Sequence, residues 1–204
     1  MIMIKKITNK DIINGSFVIP EGITEIRDFA FYECSSLKNI TIPKSVAEIG
    51  ECAFGGCSSL TNITIPESVV KIGIEAFERC KSLKNINLPD GVTEIGEGAF
   101  FGCSSLTNIT IPESVTEIGE GAFDLCSSLK NITIPESVTK IGKFAFYGCS
   151  SLENIIIPES VTEIGEGAFD WCKSLKKISL PKKVKLGHDA FYRCPPDLEI
   201  IFRD

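Results

Sequence analysis

A proline preceded by an apolar residue returns every 23 residues, at Pro20, Pro43, Pro66, Pro89, Pro112, Pro135, Pro158 and Pro181. This spacing constrains the fold more than any other property of the chain. One unit of that size cannot bury an apolar face alone, whereas stacked copies build a continuous core. The register holds inside the units. Val46, Val69, Val92, Val115, Val138 and Val161 form one column, Ile49, Ile72, Ile95, Ile118, Ile141 and Ile164 a second, and an Ala-Phe pair from Ala30-Phe31 to Ala190-Phe191 a third. A leucine follows six residues after each Phe, from Leu37 to Leu175. Only the last unit departs: Val184 and Leu186 sit two apart, and Pro195-Pro196 adds a residue before Leu198.

Each part of a unit has a physical reading. Leu129 to Ile134 ends in an alternation, with Ile132 and Ile134 on one face and Asn131 and Thr133 on the other, as in a short strand. Proline ends that strand. Ser137 to Ile141 supplies a second extended stretch, Gly142 permits a tight bend, and Ala145-Phe146 on a short helical turn drives a ring inward. Parallel strands from successive units then pair about 4.8 Å apart in one sheet.

The pattern Leu106-x-x-Ile109-x-Ile111-Pro112-x-Ser114-Val115-x-x-Ile118-Gly119-x-x-Ala122-Phe123-x-x-Cys126, repeated eight times from Pro20 onward, is similar to the BspA-like, Treponema pallidum-type class of leucine-rich repeats. The resemblance implies a leucine-rich-repeat solenoid in a right-handed arc, with a parallel sheet on the concave face and short strands or helical turns on the convex side. It also implies a binding role, since such proteins are often surface-associated adhesins or receptors of microbes. The secretion leader and wall or membrane anchor common in the class are not seen in this sequence.

Residues 1–19 read as an N-terminal capping segment and residues 20–203 as eight repeats, the last one irregular. In the cap, Phe17 and Ile19 keep the strand register, and the alternation from Met1 to Ile7 predicts a hairpin partner for them. At the other end Leu198 to Phe202 supplies a final strand with no polar cap after it, so the chain is expected as a monomer or as a dimer through that end. Met1 to Lys6 has no signal-like apolar region and no apolar run reaches 18 residues, so no membrane span and a cytoplasmic location are expected. A removed leader or non-classical export would place the same chain at the surface. The net charge of −6, with both signs interleaved, offers no basic stripe for nucleic acid.

Eight of nine cysteines share one column: Cys34, Cys57, Cys80, Cys103, Cys126, Cys149, Cys172 and Cys194. Equivalent side chains in a parallel stack point the same way nearly 5 Å apart, whereas a disulfide needs Cβ atoms about 3.5–4.5 Å apart and converging. A metal array is equally disfavoured, because zinc takes closely spaced ligand pairs and only Cys52 and Cys57 are near each other. The column therefore reads as small buried hydrophobes, reduced, with no cofactor and no metal. Cys52 replaces the glycine of Gly98, Gly121 and Gly167, and is expected to be exposed and the readiest to oxidise.

Two surfaces compete as binding sites. The concave ladder carries Asn62, Asn85, Asn108, Asn131 and Asn154 with Thr64, Thr110 and Thr133, interrupted by Ile156 and Lys177. Its uniformity suits self-bonded ladders that keep a sheet soluble as well as it suits a ligand face. The positions before each Cys vary more: Tyr32, Phe101, Leu125, Tyr147, Trp171 and Tyr192 alternate with Gly55, Gly56, Asp124 and Asp170. Aromatics on a rigid scaffold offer large contact area, or else pack on the neighbouring bend. On the first reading, Trp171→Ala or Tyr147→Ala weakens capture of a protein partner without unfolding the chain. The row Glu67, Glu113, Glu136 and Glu159 reads as a solvated rim.

With His188 as the only histidine and no phosphate-cradling loop, no catalytic residue can be named, and a non-enzymatic protein-binding or host-ligand module, adhesin-like or receptor-like, is the leading expectation. An intracellular scaffold or a self-assembling structural protein is the alternative. Ice binding by the Asn-x-Thr ladder is a remoter one, which thermal hysteresis would test.

Overall fold

The computed structural model describes residues 6–203. The chain winds as a parallel β-solenoid of about eight turns, and no helix occurs among the described residues. Two ladders of very short strands run along it. In the first, Ser16–Val18 pairs with Asn39–Thr41, Asn85–Asn87 with Asn108–Thr110, and Asn154–Ile156 with Lys177–Pro181 and then Glu199–Arg203. The central residue of each repeat strand turns inward while its Asn and Thr neighbours face water, as the alternation requires. The degenerate strand expected at the N-terminus pairs in register, Phe17 opposite Ile40. Of its expected hairpin partner, Met1 to Lys5 lie outside the described residues, and Ile7 donates to the Ala30 carbonyl.

The second ladder joins Glu25–Ile26, Glu48–Ile49 and Lys71–Ile72 in one sheet, and Glu94–Ile95, Glu117–Ile118, Lys140–Ile141, Glu163–Ile164 and Lys185–Leu186 in another. A third column of backbone bonds runs along the bend, where each Phe amide from Phe31 to Phe169 donates to the alanine carbonyl of the next turn at 2.8–2.9 Å. Backbone groups on all three sides of a turn thus find partners one repeat away. The shortened last unit is absorbed by a change of register: Leu186 lies opposite Ile164 and Glu199 opposite Lys177, each 22 residues on rather than 23.

The core follows the columns. Phe31, Phe54, Phe77, Phe100, Phe123, Phe146, Phe169 and Phe191 stack in one file with ring centroids 5.2–5.7 Å apart and planes within 14°. Their spacing slightly exceeds the strand repeat, which lets the rings stack offset. The helical turns expected at Ala-Phe are hydrogen-bonded turns that do not extend into helix, because two residues per bend take positive φ: Gly121 at 58° and Leu125 at 57° in one repeat, Phe144 at 54° and Gly148 at 65° in the next. Gly142, read as permitting a tight bend, is required for another reason. A Cβ there would lie 2.6 Å from the Glu120 nitrogen and the Gly119 carbonyl carbon, so the preceding turn leaves no room for a side chain.

The second ladder is interrupted once, between Lys71–Ile72 and Glu94–Ile95. In five repeats a serine hydroxyl donates to the Ile23, Val46, Val92, Val115 or Val138 carbonyl of the preceding turn at 2.5–2.6 Å. Gly91 occupies that position at the interruption and has no hydroxyl to offer the Val69 carbonyl. A Cβ on Gly96 would accordingly find nothing nearer than 3.6 Å.

Candidate functional site

The strand face is polar and exposed. Asn62, Thr64, Asn85, Asn108, Thr110, Asn131, Thr133, Asn154 and Lys177 all lie on it and in water. Part of the row satisfies itself: Asn108 Nδ2 donates to Asn85 Oδ1 at 3.0 Å, and Thr110 Oγ1 to Asn87 Oδ1 at 3.1 Å. Lys177 pairs with Glu199 at 3.6 Å. Ile156 is different, since it stands where Thr41, Thr64, Thr110 and Thr133 stand in other repeats and is 64% exposed. In this row Val18 of the N-terminal cap strand, opposite Thr41, is likewise apolar and 68% exposed. Beside it, among the described residues, no ladder pairs residues 131–134 with either neighbouring strand, and an open cleft of about 420 Å³ lies between Asn131, Thr133, Glu136, Ile156 and Pro158.

The bend face carries Tyr32, Phe101, Leu125, Tyr147, Trp171 and Tyr192, all partly or fully exposed. Several lie over the glycine of the next turn. A Cβ on Gly55 would meet the Tyr32 ring at 3.0 Å, and one on Gly148 would meet Leu125 Cδ2 at 2.8 Å. Phe144 covers Gly167 in the same way and meets Tyr147 edge-on at 6.0 Å. Trp171 is flanked by two cations, with Lys173 Nζ 4.1 Å and Arg193 Cζ 5.1 Å from the ring centroid. Its neighbour Asp170 is buried, faces Arg193 at 3.7 Å, and leaves Oδ1 without a partner among the described residues. Asp124 Oδ1 is likewise buried and without a partner among the described residues, and burial lifts this carboxyl to about 6. The glutamates Glu67, Glu113, Glu136 and Glu159 are exposed, and Glu159 pairs with Arg203 at 2.8 Å.

All nine cysteines are free thiols. In the column, Cys57 donates to the Phe31 carbonyl of the preceding turn at 3.1 Å, and Cys80, Cys103, Cys126, Cys149, Cys172 and Cys194 repeat the bond with Phe54, Phe77, Phe100, Phe123, Phe146 and Phe169. Cys34 donates to Ile7 instead, at 3.4 Å. The column therefore does more than fill space: each S–H caps the carbonyl of the ring-bearing residue beneath it. Burial pushes the thiols up, to about 11 at the buried Cys34 and the partly exposed Cys194 and about 12 at Cys103.

Cys52 corrects an expectation. It is not exposed but 4% accessible, and its Sγ points at Glu75 Oε2, 3.4 Å away. Burial and the Glu75 carboxylate push the thiol to about 12, which makes it a poor candidate for oxidation. Its partners Glu75 and Glu78 were not singled out from the sequence, although Glu75 also displaces the glycine of its column. His188 is exposed, with Nδ1 2.9 Å from Asp189. No helix of the described residues is long and apolar enough to cross a membrane.

The profile of the BspA-type leucine-rich repeat region matches in six copies over residues 9–116 and 94–203. Among solved structures, a leucine-rich repeat protein from Bacteroides ovatus is 36% identical over 92% of this chain, with a TM-score of 0.69. The leucine-rich repeat protein of T. pallidum is 35% identical over 90% of it, with a TM-score of 0.72. The pneumococcal vaccine antigen PcpA shares the fold at 22% identity and a TM-score of 0.51. The chain spans 55% of the B. ovatus protein and 79% of the T. pallidum protein. No protein of curated function matches. Leucine-rich repeat proteins are typically non-enzymatic and generally mediate protein–protein interaction. With its 23-residue columns, stacked Phe file and matching profile over nearly the whole chain, this protein belongs to the BspA-type leucine-rich repeat family.

Proposed function

We propose that the chain is an adhesin-like or receptor-like binding module that docks a protein partner on its strand face, with Ile156 as the anchor. The exposure of Ile156 carries this reading. It is a β-branched apolar side chain in a row of Asn and Thr, beside an open cleft. The bend aromatics support it less well, because Tyr32, Leu125 and Phe144 cover neighbouring glycines and Trp171 is dressed by Lys173 and Arg193. Thr is the residue of this position at Thr110 and Thr133, so Ile156→Thr retains the fold.

A photo-crosslinking residue at position 156, expressed in the native cell, should trap a partner that a probe at the exposed Glu120 does not. With that partner purified, Ile156→Thr should weaken binding about 10-fold or more, since burying an Ile side chain is worth about 1.5–3 kcal/mol. Equal trapping at both positions, or an unchanged Kd, sinks the assignment. Fractionating the same cells separates a surface receptor from an intracellular scaffold.

Self-association is the second reading. Among the described residues Glu199–Arg203 pairs only with Lys177–Pro181, and Ile200 and Phe202 on it are exposed. Light scattering across concentration should show a dimer that Phe202→Glu dissolves; a monomer throughout removes the reading.

A further inference from the structure

Cys52, Glu75 and Glu78 bring three potential ligand atoms within 4.8 Å of one another across two consecutive turns. The arrangement departs from the repeat at two places. Cys52 and Glu75 occupy the column held by Gly98, Gly121 and Gly167, and the side chains they add turn toward each other. The thiol is also unlike every other in the chain. Eight cysteines donate to a backbone carbonyl, whereas Cys52 faces a carboxylate. It does so from a site that is 4% accessible, with the Glu78 side chain at 12% completing the inner wall.

We propose that Cys52, Glu75 and Glu78 form a zinc site that staples the second bend to the third. This site lies outside the strand face and is independent of the binding reading. One soft sulfur and two carboxylate oxygens suit Zn(II) better than the all-oxygen ions calcium and magnesium. Three protein ligands leave the fourth tetrahedral position to water. Zn–S and Zn–O bonds of about 2.3 and 2.0–2.2 Å place neighbouring ligand atoms roughly 3.5 Å apart, a small contraction of the present triad. Coordination releases the thiol proton to solvent, and the thiolate with two carboxylates gives a charge of −3 around the +2 ion. Arg79, 3.2 Å from Glu78 and 5.6 Å from the Phe101 ring centroid, offsets part of the excess. Of the triad, the sequence marks Cys52 and Glu75, by their place in the glycine column.

Cobalt tests the site in the full-length chain, because a thiolate ligand gives Co(II) an intense near-ultraviolet charge-transfer band. One equivalent should produce that band, and one equivalent of Zn(II) should abolish it. Cys52→Gly and Glu75→Gly each restore the residue that neighbouring repeats carry, so both variants keep the fold, which circular dichroism checks. Cys52→Gly should lose the band, and Glu75→Gly should weaken zinc affinity about 10-fold or more. Zn(II) should raise the Tm of the wild type and not of Cys52→Gly. No band at one equivalent, or a band that survives Cys52→Gly, overturns the proposal.

Discussion

Gly96 and Gly142 hold the same place in their repeats, yet alanine should act on them with opposite sign. At Gly142 the added methyl meets the Glu120 nitrogen and the Gly119 carbonyl carbon at 2.6 Å, and the Gly119 carbonyl oxygen at 2.8 Å. All three are backbone atoms held by ladder bonds, including Gly142 N–H to the Ile118 carbonyl at 2.8 Å, so relief requires the two turns to part. Overpacking of this kind costs about 1–3 kcal/mol. At Gly96 the nearest atoms are 3.6, 3.7 and 3.8 Å away, ordinary contact distances, because the ladder is open between Lys71–Ile72 and Glu94–Ile95. Its φ is not in the left-handed region, so alanine is unstrained there and restricts the unfolded chain, a gain of about 0.4–1 kcal/mol. The two variants should therefore differ by about 3 kcal/mol, or roughly 6–12 °C in Tm for a chain of this size. Parallel thermal and urea melts of the wild type, Gly96→Ala and Gly142→Ala measure this. A Gly96→Ala variant as destabilised as Gly142→Ala would refute the interruption and the packing argument with it.

Gly91→Ser should supply the missing hydroxyl for the Val69 carbonyl and slow amide exchange at Thr93 and Gly96, its new Cβ displacing Val70 Cγ1, which lies 2.9 Å from that position, so the net change in stability is small; unchanged exchange counts against Gly91 as the cause of the gap. In that background Gly96→Ala should turn destabilising, a non-additivity that a double-mutant cycle reads directly. Asp124→Asn should stabilise the chain by about 1 kcal/mol at pH 7–8, after allowance for its partial exposure. The carboxyl is raised from 3.8 to about 6 in the fold, so its penalty is full above about 6 and gone below about 4; the benefit of Asn must therefore fade as pH falls through that window, and a benefit that grows instead would refute it. In thiol-labelling time courses on the native chain, the partly exposed Cys194 should react first, and Cys34 and Cys52 only with the other buried thiols. Early modification of Cys52 would contradict its placement.

Much of the fold was legible because it repeats. The proline spacing, the Ile alternation and the Ala-Phe pair each express a local requirement, and a residue repeated in register lands beside its own copy. Sites were less legible because a side chain's surroundings come from the next turn, 22 or 23 residues away. Tyr32 reads alike as an anchor or as packing until Gly55 is found beneath it. Cys52 looked exposed for the same reason, since the carboxylate that faces it belongs to the following repeat.

The sequence by itself determined the 23-residue turn, the inward columns of Phe, Ile, Val, Leu and Cys, and the polar strand face. These follow from periodicity and from the need of each short unit to bury its apolar side against a copy of itself. Only the tertiary structure decided which carbonyl each thiol caps, where the second ladder opens, that Ile156 stands exposed beside a cleft, and that Cys52 meets Glu75 and Glu78. Those outcomes depend on distances of a few tenths of an ångström between adjacent turns, and one-residue departures such as Gly91 for Ser set them through stacking.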